Sequence, residues 1–214
     1  EVPKESWDKC PYCQALIREK DLKNSEDLKR YFSAEIANYL KLKGRKAIFW
    51  GDIMYHDGYK LPDNVLIDWW NWRVHKDTAY KAALRSGLEV ICGTNYYTYL
   101  NSPVSPWKEY KKNRTFDIED IYEKNPSMNR EGNPLVLGMS CSLWCDLNVT
   151  GPMLDKRVFP RIFALSEQMW HKGNYLPFDT FYKKVKDKKS YFENLGYRFG
   201  PGLRSETPKN YSWD

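Results

Sequence analysis

No apolar run in this 214-residue chain approaches the roughly 18 residues that a membrane span needs, and its mean hydropathy is −0.74. No membrane span is expected, and the chain reads as soluble and globular. A hydrophobic content of 42% is enough for one sizeable core in one or two domains. Histidine is scarce, and His56, His75 and His171 form no ligand or catalytic pattern, which leaves them as surface or core residues. A basic excess gathered in one region is also missing. The net charge is +6, yet the basic residues of KLKGRK, EYKKNR and YKKVKDKK are scattered and mixed with acids. No zinc-finger, RNP or phosphate-loop pattern accompanies them, so a solvated surface is expected and no nucleic-acid partner. Of five cysteines, Cys10 and Cys13 have C-x-x-C spacing. No second C-x-x-C or nearby histidine completes a zinc set, and no strand precedes the motif as a thioredoxin-like site requires. Local structural thiols, or one short disulfide, are the expectation. The chain starts at Glu1, not Met, without a signal-like apolar stretch, so it reads as processed or cut down and its own start carries no address.

Aromatic side chains, by contrast, are abundant at 16%, with nine Trp and sixteen Tyr. Abundance alone means a large core, so placement has to decide. Three tryptophans end β-like runs, each two positions from a carboxylate: Trp50 with Asp52, Trp70 with Asp68, and Trp144 with Asp146. Strand side chains alternate between faces, so each pair points one way. A flat aromatic plane beside hydrogen-bond acceptors suits a sugar, which has an apolar C–H face and an edge of hydroxyls. One strand-end Trp reads more simply as packing; three with same-face acids favour a carbohydrate site. Asp52 taken alone reads more simply as a turn cap.

The first convincing element is a helix over 24–42, on which Leu28, Tyr31, Phe32, Ile36, Tyr39 and Leu40 recur at helical spacing; Asn24 or Ser25 caps it and Gly44 ends it. Strands are predicted over 46–53, 65–70, 89–94 and 135–144. A helix capped by Asp77 and closed by Gly87 lies between the second and third. A short helix over 118–124 and helices over 155–170 and 178–195 complete the pattern, with an irregular tail from Gly200. Alternating strands and helices indicate an α/β fold with a parallel sheet. On the fourth strand Leu135, Leu137, Met139, Cys141 and Leu143 form an apolar side suited to packing under helices. The other side is smaller and more polar, as in a barrel interior, and working residues of such barrels lie at the C-terminal strand ends, where all three tryptophans fall. About four β/α units are visible where a (β/α)8 barrel needs eight, so either more chain belongs to the protein or two copies complete each other.

Several runs then resemble one family. Glu1-Val2-Pro3 with Trp7, Phe49-Trp50-Gly51-Asp52, Asp68-Trp69-Trp70, Tyr99-Leu100-Asn101, Gly138 through Asp146, and Pro160-Arg161 through Trp170 match, in order and spacing, the C-terminal half of the catalytic barrel of family 20 glycoside hydrolases, the β-N-acetylhexosaminidases. Each is weak alone; their shared order carries the resemblance, which runs from Glu1 to about residue 196. Residues 1–196 are accordingly expected to be the second half of a (β/α)8 TIM-type barrel, and 197–214 an irregular tail.

The resemblance implies hydrolysis of terminal β-linked N-acetylhexosamine by a substrate-assisted retaining route, an exception to the two-carboxylate scheme. Glu1 would be the general acid and base, its Asp partner falling just before the first residue. Tyr99 would hydrogen-bond the acetamido oxygen, Trp50, Trp70 and Trp144 would wall the pocket, and Asn101 and Asp146 would bind outer hydroxyls. No metal or organic cofactor is implied. The implied partner is an N-acetylhexosamine-containing glycan, with self-association or a missing N-terminal half completing the barrel, and a secreted, periplasmic or lysosomal location. The fragment alone is expected to be inactive. Asn101 stands where the family has Asp, Asp146 where it has Glu, Ser140 where it often has Glu, and Met139 where it has Gly. Those departures leave a catalytically impaired, carbohydrate-binding relative as the alternative. Arg161 and Glu167 are expected to form a buried structural pair.

Overall fold

The computed structural model describes residues 5–71, 76–105, 115–127, 132–145, 149–171 and 174–212. The chain divides into two compact units, Glu1–Ile91 and Cys92–Asp214.

The first unit opens with α1 (Pro11–Glu19), a helix that apolar periodicity did not reveal, begun by Pro11 in its first turn. α2 (Ser25–Leu42) starts where the sequence indicates, with the Asn24 side chain accepting from the Asp27 N–H. Its buried face is not the predicted one. Asp27, Arg30, Ala34 and Ala37 turn inward with Leu28, whereas Phe32 (58% exposed), Ile36 and Tyr39 face out. Small residues allow close approach of the helix, and the two charged residues have buried tasks. Arg30 donates to the carbonyls of Ile53 (3.2 Å), His56 (2.8 Å) and Tyr59 (2.8 Å). The Asp27 carboxylate accepts from the Tyr59 N–H, and a Cβ on Gly58 would run into that carboxylate.

β1 (Ala47–Trp50) and β2 (Val65–Trp69) pair in parallel, Ala47 opposite Val65 and Trp50 opposite Asp68, and β3 (Glu89–Cys92) flanks β2. The predicted first strand stops early because the chain winds into a 3-10 turn over Gly51–Met54. α3 (Thr78–Arg85) follows β2, but Asp77 makes no side-chain cap to it and pairs with Lys81 at 3.2 Å. Trp69 is fully buried, its ring 5.0 Å from Tyr80 and its Nε1 donating to the Lys76 carbonyl at 3.0 Å. Burial of an indole this size stabilises by roughly 2–3 kcal/mol, and it fixes the pleat so that Trp70 leaves on the opposite face.

In the second unit, α4 (Ile118–Lys124) carries a capping box between Asp117 and Asp120. β4 (Val136–Met139) is shorter than predicted: beyond it the chain continues as single contacts, with the Ser140 N–H bonded to the Cys92 carbonyl (3.1 Å) and a parallel bridge between Tyr99 and Ser142. Of the expected helix-facing side, Leu143 packs on the main cluster and Met139 Sδ accepts from Asn125, whereas Leu137 is exposed. The predicted helix over 155–170 is two helices, α5 (Gly151–Val158) and α6 (Arg161–Trp170), separated at Phe159-Pro160, where proline lacks the N–H that continuation needs. α7 (Phe178–Asn194) packs Phe181, Tyr182 and Val185 against Ile118, Ile121, Tyr122, Ala164 and Leu165. The tail is irregular but docked: the Gly202 carbonyl accepts from Ile118 N–H, Arg204 pairs with Asp120, and the Tyr182 hydroxyl bonds Glu206. Among the described residues, no helix is long and apolar enough to cross a membrane.

Candidate active site

The strand-end residues form two aromatic pairs, one in each unit. In the first, Trp50 and Trp70 stand edge to face, ring centroids 6.5 Å apart and planes at 84°. Adjacent parallel strands put them there: Trp50 is opposite Asp68, and Trp70 follows two residues later on the same face. Trp50 remains 46% exposed, so a large part of its ring is open to a ligand. The Trp70 indole N–H donates to the Asp52 carboxylate. The 3-10 turn after β1 supplies that acceptor, and Gly51 lets the turn lie close, since a Cβ there would meet Ala79 Cβ at 3.1 Å. Three residues on, Tyr55 shares the same side of the turn. Burial first, and then the Asp52 charge, push its phenol well above the ordinary range, against a hydrogen bond with Asn71. Tyr55 therefore stays neutral beside the carboxylate.

In the second unit, Tyr99 and Trp144 lie 5.9 Å apart with planes at 45°. Main-chain register fixes this pair. Leu100 N–H donates to the Ser142 carbonyl at 2.8 Å and Ser142 N–H to the Thr98 carbonyl at 3.0 Å. Behind them is a buried guanidinium: Arg161 donates to the carbonyls of Leu100 (2.7 Å), Phe116 (3.1 Å) and Arg157 (2.7 Å), and its charge lies 4.7 Å from the Phe116 ring centre. Arg157 donates to the Asn101 carbonyl at 3.2 Å. Arg161 is thus gripped by carbonyls, while Glu167 meets His171 at 3.4 Å, in place of the expected Arg161–Glu167 pair. Trp144 is 44% exposed. Asn101 is half-buried, and its side-chain oxygen is enclosed without a hydrogen-bond partner among the described residues. Glu1 and Asp146 lie outside the described residues, as does His75.

Chemically, each pair offers an apolar ring surface with a polar neighbour: a carboxylate at the first, a phenol at the second. Sequence reasoning left Asp52 as a turn cap; its spacing from Trp50 was the visible signal, and its bond to Trp70 was not foreseeable from one strand alone. Arg30 and Arg157 were missed because arginine is ordinarily a surface residue.

The profile of the glycosyl hydrolase family 20 catalytic domain matches residues 1–173. The chain belongs to this family. Its fold agrees: a crystal structure of a β-N-acetylhexosaminidase from Bacteroides fragilis superposes with a TM-score of 0.94 at 60% identity, over 99% of this chain and 43% of that one. A family 20 exo-β-N-acetylglucosaminidase from Vibrio harveyi, solved with N-acetylglucosamine, shares the fold with a TM-score of 0.79 at 21% identity, over 95% of this chain and 32% of that one. Among curated sequences, a β-hexosaminidase of Vibrio furnissii is 27% identical over 175 residues, covering 78% of this chain and 27% of its own length. The β subunit of human β-hexosaminidase is 23% identical over 190 residues, covering 86% and 32%. The chain thus spans less than half the length of these relatives. Its family 20 neighbours share the α/β architecture of parallel strands and packed helices, and its length matches a partial (β/α)8 barrel.

Proposed function

We propose that this chain is the second half of the barrel of a β-N-acetylhexosaminidase that removes terminal β-linked N-acetylhexosamine from glycans or glycoconjugates. The observation that carries the reading is the pair of open indoles at strand ends, Trp50 braced against Trp70 and Trp144 against Tyr99, in a family 20 catalytic chain. Indole faces suit the C–H side of a pyranose and the acetyl methyl, and a phenol beside one of them suits an amide oxygen. In this reading the sugar's 2-acetamido oxygen attacks its own anomeric carbon, giving an oxazolinium intermediate. Glu1 protonates the departing glycosidic oxygen and then takes a proton from water; Tyr99 donates to the acetamido oxygen. Trp50, Trp70 and Trp144 wall the sugar, and Asn101 and Asp146 bind hydroxyls. No metal or organic cofactor takes part.

Hydrolysis of 4-nitrophenyl N-acetyl-β-glucosaminide by the full-length protein tests this. Glu1→Gln is expected to lower kcat by about 10²–10⁴-fold, the range of acid–base catalysis, with KM little changed. Saturable sugar binding without turnover in the unaltered protein would instead identify a catalytically impaired carbohydrate-binding relative, the reading favoured by Asn101 and Asp146 in place of the family's Asp and Glu.

A further inference from the structure

The C-x-x-C pair at the head of α1 has no part in the reading above, and its placement is chemically specific. Cys10 is the N-cap residue, extended at φ −82° and ψ 117°, and Pro11 sets the first helical turn. Cys13 follows three residues on, within the same first turn, which brings its thiol into interaction with that of Cys10. Cys10 makes no regular side-chain cap, but the Cys13 amide, the Cys13 thiol and then the Tyr12 amide direct their dipoles at its sulfur and hold its thiol below the ordinary range against slight burial. Cys13 is the opposite case: the hydrogen bond with Cys10, burial and the Cys10 charge raise its thiol. It also packs against the cluster of Ile17, Leu22 and Leu28, whereas Cys10 caps the first turn; both thiols are half-buried. Both are free thiols in this structure.

Two other uses fit less well. A structural zinc needs four ligands, and no group of three His, Cys, Asp or Glu residues suited to a metal occurs among the described residues. A purely structural staple gains most by closing a long loop, whereas this pair closes a single helical turn. What remains is exchange chemistry, for which a thiol held below its ordinary range with a second thiol on the same helical turn is suited.

We propose that Cys10 and Cys13 form a reversible disulfide, with Cys10 as the sulfur that exchanges with an external small-molecule or protein disulfide. The Cys10 thiolate attacks one sulfur of, for example, glutathione disulfide; a mixed disulfide forms and one glutathione thiolate leaves, taking a proton from water. Cys13, giving its proton to water, then attacks the Cys10 sulfur and expels the second glutathione. Two protein thiols are oxidised to one disulfide and one glutathione disulfide is reduced to two thiols. The segment affected is short and tied down: Gln14 Nε2 bonds the Trp7 carbonyl at 3.1 Å, and Ser25 bonds Asp8, so closure acts on how residues 5–10 enter α1.

The test uses the full-length protein in glutathione buffers of graded ratio, followed by mass spectrometry of its peptides. The expected result is loss of two hydrogens from the peptide holding both cysteines, reversed in reduced glutathione. Brief alkylation at neutral pH should label Cys10 about tenfold faster than Cys145, an exposed cysteine that serves as internal reference. Cys13→Ser should trap a glutathione adduct on Cys10. The proposal is overturned if Cys10 labels no faster than Cys145, if both cysteines carry separate adducts without closing, or if the bond forms but survives reduced glutathione. Because labelling and closure are read in the unaltered protein, poor folding of the variant leaves the test intact, and hexosaminidase activity does not enter it.

Discussion

The two aromatic pairs hold their rings by different means. Trp50 and Trp70 sit on adjacent strands, yet the orientation of Trp70 depends on one side chain, the Asp52 carboxylate, carried on a 3-10 turn. Tyr99 and Trp144 are set by main-chain bonds through Ser142, backed by the Arg161 guanidinium and, one residue on, by Arg157. Both units use a helix-borne arginine to grip carbonyls of a loop: Arg30 on α2 in the first, Arg161 on α6 in the second. Their burial differs, since Arg161 is wholly enclosed and Arg30 retains a little exposure beside Asp27. Side-chain steering can be adjusted by a single substitution without disturbing the sheet. Main-chain steering makes the site inseparable from the stability of the unit behind it.

The sharpest break of this contrast is Arg161→Met. Removing the cation leaves three buried carbonyls short of donors, and a loss of about 3–4 kcal/mol is expected in urea unfolding, against about 2 kcal/mol for Arg30→Met. Equal losses would erase the distinction between the units. Next comes Tyr99→Phe, which keeps the ring pair and removes the phenolic donor of the proposed mechanism. A fall in kcat of up to about 10²-fold with unchanged thermal stability is expected; a change in KM alone would return Tyr99 to packing. Asp52→Ala should raise KM for the nitrophenyl sugar by about tenfold by freeing Trp70, and Asp52→Asn, which keeps an acceptor, should recover most of it. Failure of the Asn variant to recover would make Asp52 more than a positioning residue.

The smallest effect concerns the electrostatic share of the second unit. Burial opposes ionisation of Asp120, but Lys124, the Asp117 N–H and Arg204 outweigh it and keep its carboxyl below the ordinary value. A carboxyl lowered on folding stabilises fully above its unfolded value and loses that contribution as pH falls through the folded one. Asp120→Asn is therefore expected to cost about 1 kcal/mol near neutrality, and the gap to the unaltered protein should close as the pH drops below about 4. A gap constant across that range would make Asp120 a capping group only.

Much of this was legible beforehand. Asn24 and the stops at Gly44 and Gly87 are local signals, and the helices they bound end within a residue or two of the expected places. Alternation puts Trp70 on the face of Asp68, and the intervening Trp69 is buried against Tyr80 of α3. The buried face of α2 was not legible, because apolar periodicity points to Phe32, Ile36 and Tyr39, while the helix approaches the sheet through alanines and anchors a loop through Asp27 and Arg30. α1 escaped notice because its cluster draws on only Ile17 and the half-buried Cys13 and Leu16. At the site, single strands could propose Trp50 and Trp70, but the Asp52 bond joins residues 18 apart and needs the folded turn.

A clasp made to oxygen atoms of the main chain is indifferent to what hangs from them. Arg30 grasps positions 53, 56 and 59 by features every amino acid possesses, so the stretch between the first two strands can be re-lettered at its outward positions while its path endures. Gly58 is the exception, being pressed against Asp27. That stretch follows directly on the turn carrying Asp52, so randomising its outward positions would vary the surface next to that turn while its main-chain frame stays.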